Sequence, residues 1–358
     1  MAIEIPVTRT REPKKKPDAS GLGFGRYFSD HMFLMDWSEQ KQWHAPRVVP
    51  YAPMAMDPAA AVFHYGQAIF EGNKAFRGAD GTIRFFRLPQ HLARFSHSAE
   101  RLVMPAPDAA MLEAGLHAVV ATDQDWVPSA PGTSLYVRPT LIGTEGFLGV
   151  RASNRYTCFV ILSPAGSYFD GPGLSPVRIW VERKHTRAAK GGLGEAKAGA
   201  NYAASLLAAV EAKKRGYPQV LWLDANEHKY VEEVGTMNLM AVVGGKLVTP
   251  PLEGTILPGV TRDSVLALAK GWGVEVQERR LPIDELIVSS QTGALSEVFG
   301  TGTAAVISPV GELAWDGGKI SISGGKVGPM AQKLFDALTD IQYGRAKDAH
   351  GWMSPLRG

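Results

Sequence analysis

Lys197 stands in Gly191-Gly192-Leu193-Gly194-Glu195-Ala196-Lys197-Ala198-Gly199-Ala200-Asn201-Tyr202, with small residues on both sides. Glycine and alanine leave room for a bulky planar group to approach the backbone. A lysine among small apolar residues is desolvated. That lowers its pKa and leaves its amine ready to attack a carbonyl and form a Schiff base. The plainer reading is a surface lysine in a Gly/Ala-rich loop, and spacing alone leaves both open.

Three later stretches bear on that choice. Pro258-Gly259-Val260-Thr261-Arg262-Asp263-Ser264 reads as a turn opening a helix. Backbone N–H groups near Val260 and Thr261 suit an anion there, or simply begin a capped helix. Gly300-Thr301-Gly302-Thr303-Ala304 offers backbone donors and two hydroxyls to a phosphate or carboxylate. No Gly-Lys-Thr/Ser follows, so it is not the P-loop of nucleotide triphosphatases. Glu233 is a carboxylate entering an apolar stretch, and once buried it needs a cationic or hydrogen-bonding partner. A reactive lysine, two anion sites and a buried carboxylate together meet the needs of pyridoxal phosphate.

Elements must position these groups. After Lys197, the residues Ala203, Leu206, Leu207 and Val210 share one helical face, which predicts a buried helix ending near Arg215-Gly216. Helices are expected over 90–101, with Leu92, Phe95, Ala99 and Leu102 as the apolar face and Arg94 beside it, and over 109–121. Residues 134–142 alternate like a strand. Tyr136 and Arg138 then point the same way, as a solvent-facing pair or a polar spot in a pocket. Further strands are expected over 31–37, 82–86 after an Asp80-Gly81 hairpin turn, 156–163, 177–181, 219–224, 230–243, 247–249 and 273–280. Residues 283–298 read as mainly helical, broken near Gly293. Residues 299–303 read as a turn entering a strand, and a last helix covers 328–343. The Gly/Pro break near Tyr168-Phe169-Asp170-Gly171-Pro172-Gly173 divides the chain into an arm (1–21), a small N-terminal domain (22–170), a linker (171–181) and a larger C-terminal domain (182–358).

At 358 residues the chain is long for a single core and suits two domains. A hydrophobic fraction of 45% and a charged fraction of 20% describe a soluble globular protein. The net charge of +3, without a basic stripe interleaved with aromatics, argues against nucleic acid as partner. No apolar run approaches the length of a membrane span. Cys158 is the single cysteine, which excludes an intrachain disulfide and a cysteine metal cluster. In Tyr156-Thr157-Cys158-Phe159-Val160 it reads as a small buried hydrophobe. The composition fits a cytoplasmic protein, with no metal implied.

The motifs also resemble a known family, the branched-chain amino acid aminotransferases of pyridoxal-phosphate fold type IV. The likeness rests on His64-Tyr65-Gly66-Gln67-Ala68-Ile69-Phe70-Glu71-Gly72, Tyr136-Val137-Arg138-Pro139, Ala196-Lys197-Ala198-Gly199-Ala200-Asn201-Tyr202, Glu233-Val234-Gly235-Thr236-Met237-Asn238, Leu257-Pro258-Gly259-Val260-Thr261-Arg262 and Gly302-Thr303-Ala304. They run in the family's order from about Phe24 to Trp352.

The resemblance implies a mixed α/β (α+β) fold with a smaller N-terminal α/β domain and a larger cofactor-binding C-terminal domain. It makes Lys197 the Schiff-base lysine and proton carrier, Glu233 the partner of the pyridinium nitrogen, and Tyr202 the partner of the phenolic oxygen. Arg94, Val260, Thr261 and Thr303 become the phosphate cup. Thr303 and Ala304 become the holders of the substrate α-carboxylate. Phe24, Phe70, Tyr136, Tyr168, Thr236 and Met237 line the side-chain pocket it implies. Residues matching Tyr65, Leu148 and Val150 reach in from a second subunit, which implies a homodimer with shared active sites. Arg138, steadied by tyrosine hydroxyls such as Tyr65, is expected to meet the distal carboxylate of glutamate or 2-oxoglutarate. The implied reaction is reversible amino transfer between leucine, isoleucine or valine and 2-oxoglutarate, a small amino acid exchanging with a 2-oxo acid. Mammalian members carry a Cys-x-x-Cys where this chain has Ala305 and Ser308, so no thiol switch of that kind is expected. The rival readings are a D-amino acid transaminase or 4-amino-4-deoxychorismate lyase on the same fold, and a non-catalytic binding protein that keeps the scaffold.

Overall fold

Ser134–Gly143 and Arg155–Ala165 are rich in β-branched and aromatic residues, and these two strands pair antiparallel along their length, with Arg138 opposite Ile161. They sit at the centre of one sheet in the computed structural model, which describes residues 3–166 and 173–357. Strand order in that sheet is Met353–Pro355, Ile83–Phe86, Asn73–Arg77, Ser134–Gly143, Arg155–Ala165, His31–Ser38 and Gln42–Pro50, with Ala68–Phe70 also paired to Ser134–Gly143. The chain divides into two units. The first comprises Met1–Tyr168, Ala196–Ala200 and Asp340–Gly358, and the second Phe169–Glu195 and Asn201–Thr339.

Two long helices lie in the first unit, beside the short helix Ala61–Tyr65. Leu88–Arg101 buries Leu92, Phe95 and Ala99 of the face expected from its period, with Leu88 added, while Leu102 is the half-buried C-cap. It also buries His91, Arg94 and Ser98, a polar strip at helical spacing beside the apolar one. Ala109–Thr122 starts at Asp108, whose carboxylate accepts from the Met111 N–H at 2.8 Å.

The second unit carries a mixed sheet in the order Val231–Val234, Gln219–Leu223, Val177–Val181, Val306–Trp315, Leu295–Gly302, Met237–Val243, Lys246–Thr249 and Val276–Glu278, with Gly318–Ser321 against Val306–Trp315. Val231–Val234 also pairs with Met237–Val243, so the strands from Val231–Val234 to Met237–Val243 close on themselves. Their apolar core includes Ile179, Val181, Leu221, Val234, Leu239 and Leu313.

Four sequence expectations are corrected here. Residues 283–298 are not one helical region: Ile283–Gln291 is a helix, Gly293 turns the chain at φ 77°, and Leu295–Gly302 is a strand. Residues 299–302 accordingly end that strand, and the turn comes after them. A short apolar run has no period of its own, and pairing with Met237–Val243 decided it. The strand expected over 273–280 is only Val276–Glu278. The helix after Lys197 is split into Gly199–Ala204 and Leu206–Lys214, and its predicted apolar face is exposed: Leu206 is 63%, Leu207 57% and Val210 51% accessible. Ala208 and Ala212 are the buried residues instead, packed on Val220 and Trp222. Cys158 is buried, as its apolar run implies, and burial pushes its thiol pKa up.

Candidate active site

Lys197 lies in the extended segment that precedes Gly199–Ala204. Ala198 bridges to Ile69, and the Phe70 N–H donates to the Lys197 carbonyl at 3.0 Å. The Lys197 Nζ is 4.9 Å from the centre of the Phe70 ring. The Arg138 guanidinium lies 4.8 Å from the same ring centre and donates from Nη2 to the Tyr136 hydroxyl at 3.0 Å. Phe24 meets the Tyr136 ring edge-on, with centroids 4.8 Å apart. The first unit therefore gathers Lys197, Phe70, Arg138, Tyr136 and Phe24 into one aromatic cluster carrying two cations. Gly72 makes it possible, since a Cβ there would fall 1.8 Å from the Tyr136 hydroxyl.

Arg94 is buried and doubly bonded to Glu71, with Nε donating to Oε2 at 2.8 Å and Nη2 to Oε1 at 2.6 Å. Burial alone would raise the Glu71 pKa. The Arg94 guanidinium and His91 outweigh it and hold the carboxyl well below the usual range. Tyr65, Leu148 and Val150 are exposed, and the Tyr65 hydroxyl donates to the Leu148 carbonyl. The tyrosine that steadies Arg138 within this chain is Tyr136, and Tyr65 is engaged elsewhere. Tyr168 lies outside the described residues.

In the second unit, Glu233 sits on Val231–Val234, opposite Asn238 across the Gly235–Thr236 turn. It is 3% exposed. Its Oε1 accepts from the Leu257 N–H at 3.0 Å, and its Oε2 lies 3.1 Å from Arg187 Nε. Arg187 Nη2 donates to the Gly194 and Thr255 carbonyls at 3.1 and 2.8 Å, which fixes the pair. Glu233, Tyr202 and Thr236 line one cleft together with Arg187, Asn201, Ser205 and Gly235.

Asn238 ties Glu233 to the nearby helix start. Its Nδ2 donates to the Leu257 carbonyl at 2.8 Å, and its Oδ1 lies 1.8 Å from where a Gly259 Cβ would stand. Gly259 caps Val260–Gly271 with no side chain, so backbone donors open that helix at Val260 and Thr261. Met237 packs its thioether against Gly300, and Thr303 and Ala304 form the turn between Leu295–Gly302 and Val306–Trp315.

Residues 68–313 match the family Amino-transferase class IV. The chain is 51% identical over 356 residues to branched-chain-amino-acid aminotransferase 2 of Bacillus subtilis (strain 168), covering 99% of this chain and 97% of that one. This chain belongs to the branched-chain amino acid aminotransferases. The solved branched-chain aminotransferase of the archaeon Thermoproteus uzoniensis, with norvaline, superposes on this aminotransferase with a TM-score of 0.75 at 26% identity, covering 91% of this chain and 100% of the other. The Escherichia coli enzyme gives 0.74 at 28% identity, covering 90% and 99%. Another solved branched-chain aminotransferase, 31% identical, holds pyridoxamine 5'-phosphate. The fold is thus pyridoxal-phosphate fold type IV, and pyridoxal phosphate is the aminotransferase's cofactor.

The donor sets suit that cofactor. A buried carboxylate kept company by an arginine, a tyrosine in the same cleft, and a glycine-capped helix start tied to that carboxylate through Asn238 suit a ring nitrogen, a ring oxygen and a phosphate. Sequence reasoning did not assign roles to Glu71, His91, Ser98 or Arg187 in this aminotransferase. The available signal was the helical spacing of His91, Arg94 and Ser98, three polar residues on one strip beside an apolar face. Arg187 gave no local signal. Among the described residues no group of three or more His, Cys, Asp or Glu could hold a metal ion, and no helix is long and apolar enough to cross a membrane.

Proposed function

We propose that this chain catalyses reversible amino transfer between leucine, isoleucine or valine and 2-oxoglutarate, giving branched-chain 2-oxo acids and glutamate. The observation that carries it is the cluster around Phe70. Aromatic faces suit a branched aliphatic side chain, and Arg138, steadied by Tyr136, adds one cation for a second carboxylate.

Pyridoxal phosphate, when bound, supplies a carbonyl that takes up the amino group and a ring that withdraws electrons from the substrate Cα. Lys197 is the attachment residue, and its Nζ would carry the proton between the substrate Cα and the cofactor C4′, as base and then as acid. Glu233 keeps the ring nitrogen protonated, and Arg187 beside it keeps Glu233 ionised. Tyr202 hydrogen-bonds the ring oxygen. Arg94, Val260, Thr261 and Thr303 hold the phosphate. The Thr303 and Ala304 N–H groups hold the α-carboxylate, and Phe24, Phe70, Tyr136, Thr236 and Met237 line the side-chain pocket, Tyr168 with them.

The active form is a cytoplasmic homodimer. Phe63, Tyr65, Phe147, Leu148 and Val150 are all exposed in the first unit, an apolar surface suited to cover by a second copy. Initial rates across a panel of L- and D-amino acids, with 2-oxoglutarate as acceptor, test the reading. Leucine, isoleucine and valine should lead. Preference for a D-amino acid, or lyase activity without amino transfer, would overturn it.

A further inference from the structure

The main chain of Lys197 is held from both sides. Its N–H donates to Ser98 Oγ at 2.9 Å, and its carbonyl accepts from the Phe70 N–H at 3.0 Å. Ser98 Oγ donates in turn to the Arg94 carbonyl at 2.9 Å, one turn back on the same helix. The hydroxyl therefore has its proton and one acceptor position committed. Arg94 is fixed by Glu71, which follows Phe70 directly in the chain. Glu71 also accepts from the Gly72 N–H at 2.7 Å and lies 3.2 Å from His91 Nδ1.

These contacts form a closed circuit from Lys197 to Ser98, Arg94, Glu71, Phe70 and back to Lys197. Ser98 and Glu71 are wholly buried. The lysine segment needs such a hold, because Gly191, Gly192, Gly194 and Gly199 surround it and glycine adds backbone freedom. The circuit joins the lysine proposed to attach the cofactor to the arginine proposed to bind its phosphate.

We propose that Ser98 is a positioning residue that fixes the Lys197 main chain relative to the Arg94 guanidinium, so that amine and cation keep one spacing through both half-reactions. Ser98 acts through Lys197 and Arg94 and touches neither substrate nor cofactor. The inference rests on the proposed role of Lys197.

The test compares Ser98→Ala and Ser98→Thr with the parent. Amide hydrogen exchange is followed over the Lys197 segment of the cofactor-free protein. Affinity for pyridoxamine 5'-phosphate, kcat and the KM for leucine are measured on the same variants. In Ser98→Ala, exchange at Lys197 should accelerate about tenfold and kcat should fall by about tenfold or more, because small misplacements of a reacting group are costly. Affinity for pyridoxamine 5'-phosphate and the KM for leucine should stay near parental values, and Ser98→Thr should restore exchange and kcat. If the alanine variant does not fold, Ser98→Cys keeps the volume with a weaker acceptor and should show the same pattern. Unchanged exchange with the cofactor trapped on Lys197 overturns the inference alone. Equal losses in kcat and in pyridoxamine 5'-phosphate affinity also overturn it, since they mark a general structural prop. Trapping of the cofactor on another lysine overturns the reading of Lys197 and the inference with it.

Discussion

Arg187 Nε lies 3.1 Å from Glu233 Oε2, and both side chains are almost wholly buried. A buried carboxylate beside a buried guanidinium stays ionised, which is the state needed opposite a protonated ring nitrogen. Glu233→Gln keeps the shape and removes the charge. Its kcat should fall by about 100-fold or more, the scale seen when a preorganised electrostatic group is lost. Cofactor content should remain measurable. Near-parental turnover would remove Glu233 from that role.

Arg138 should discriminate between substrates. Its Nη2 donates to the Tyr136 hydroxyl, while its Nε is buried with no hydrogen-bond partner among the described residues. Arg138→Met keeps the length and deletes the charge. The specificity constant for 2-oxoglutarate should drop by about 30-fold, corresponding to about 2 kcal/mol for a charge-assisted contact. The leucine half-reaction should change little. Stopped-flow measurement of the two half-reactions checks this, and equal losses would make Arg138 a structural support.

Gly72 should resist substitution. The Cβ of Gly72→Ala would meet the Tyr136 hydroxyl at 1.8 Å, so the tyrosine must leave its place and Arg138 loses its partner. Turnover with 2-oxoglutarate should fall more than thermal stability does. Parental kinetics with both substrates would show that Tyr136 is free to move without consequence.

Lys74 should give a pH-dependent stability. It is buried on Asn73–Arg77, and burial pushes its pKa from the ordinary 10.5 down to about 8. Between pH 8 and 10.5 the unfolded chain binds the proton that the folded chain has released. Stability conferred at this position therefore rises with pH across that window and is flat below it. Lys74→Met lacks the slope. Urea midpoints of cofactor-free protein should favour the variant near about pH 7.5, below the folded-state pKa. Its advantage should shrink towards about pH 10.5 by an amount on the order of 3 kcal/mol. A gap that does not move with pH would contradict a depressed lysine.

Much of the fold was legible because period and punctuation agree locally. The helix expected over 90–101 is Leu88–Arg101, and the strand expected over 134–142 is Ser134–Gly143. Tyr136 and Arg138 share a face, as alternation requires. Lys197 and Glu233 stood out as charges in small or apolar surroundings. Their partners did not. Glu71 finds Arg94 across 23 positions, and Glu233 finds Arg187 on a separate stretch of chain, so neither pairing leaves a local pattern. The run over 283–298 misled because Leu295 and Val298 serve a strand as well as a helix, and only pairing decides. The face carrying Leu206, Leu207 and Val210 misled differently. Period reports that a helix has an apolar face and says nothing of what covers it.

Covalent trapping addresses the central claim most directly. The purified protein, loaded with pyridoxal phosphate, is reduced with borohydride, digested and mapped by mass spectrometry, alongside Lys197→Ala. The account predicts a reduced pyridoxyl group on Lys197, none on the alanine variant, and loss of nearly all turnover in that variant. A pyridoxyl group on Lys190 or another lysine in the parent protein, or none at all, would contradict it.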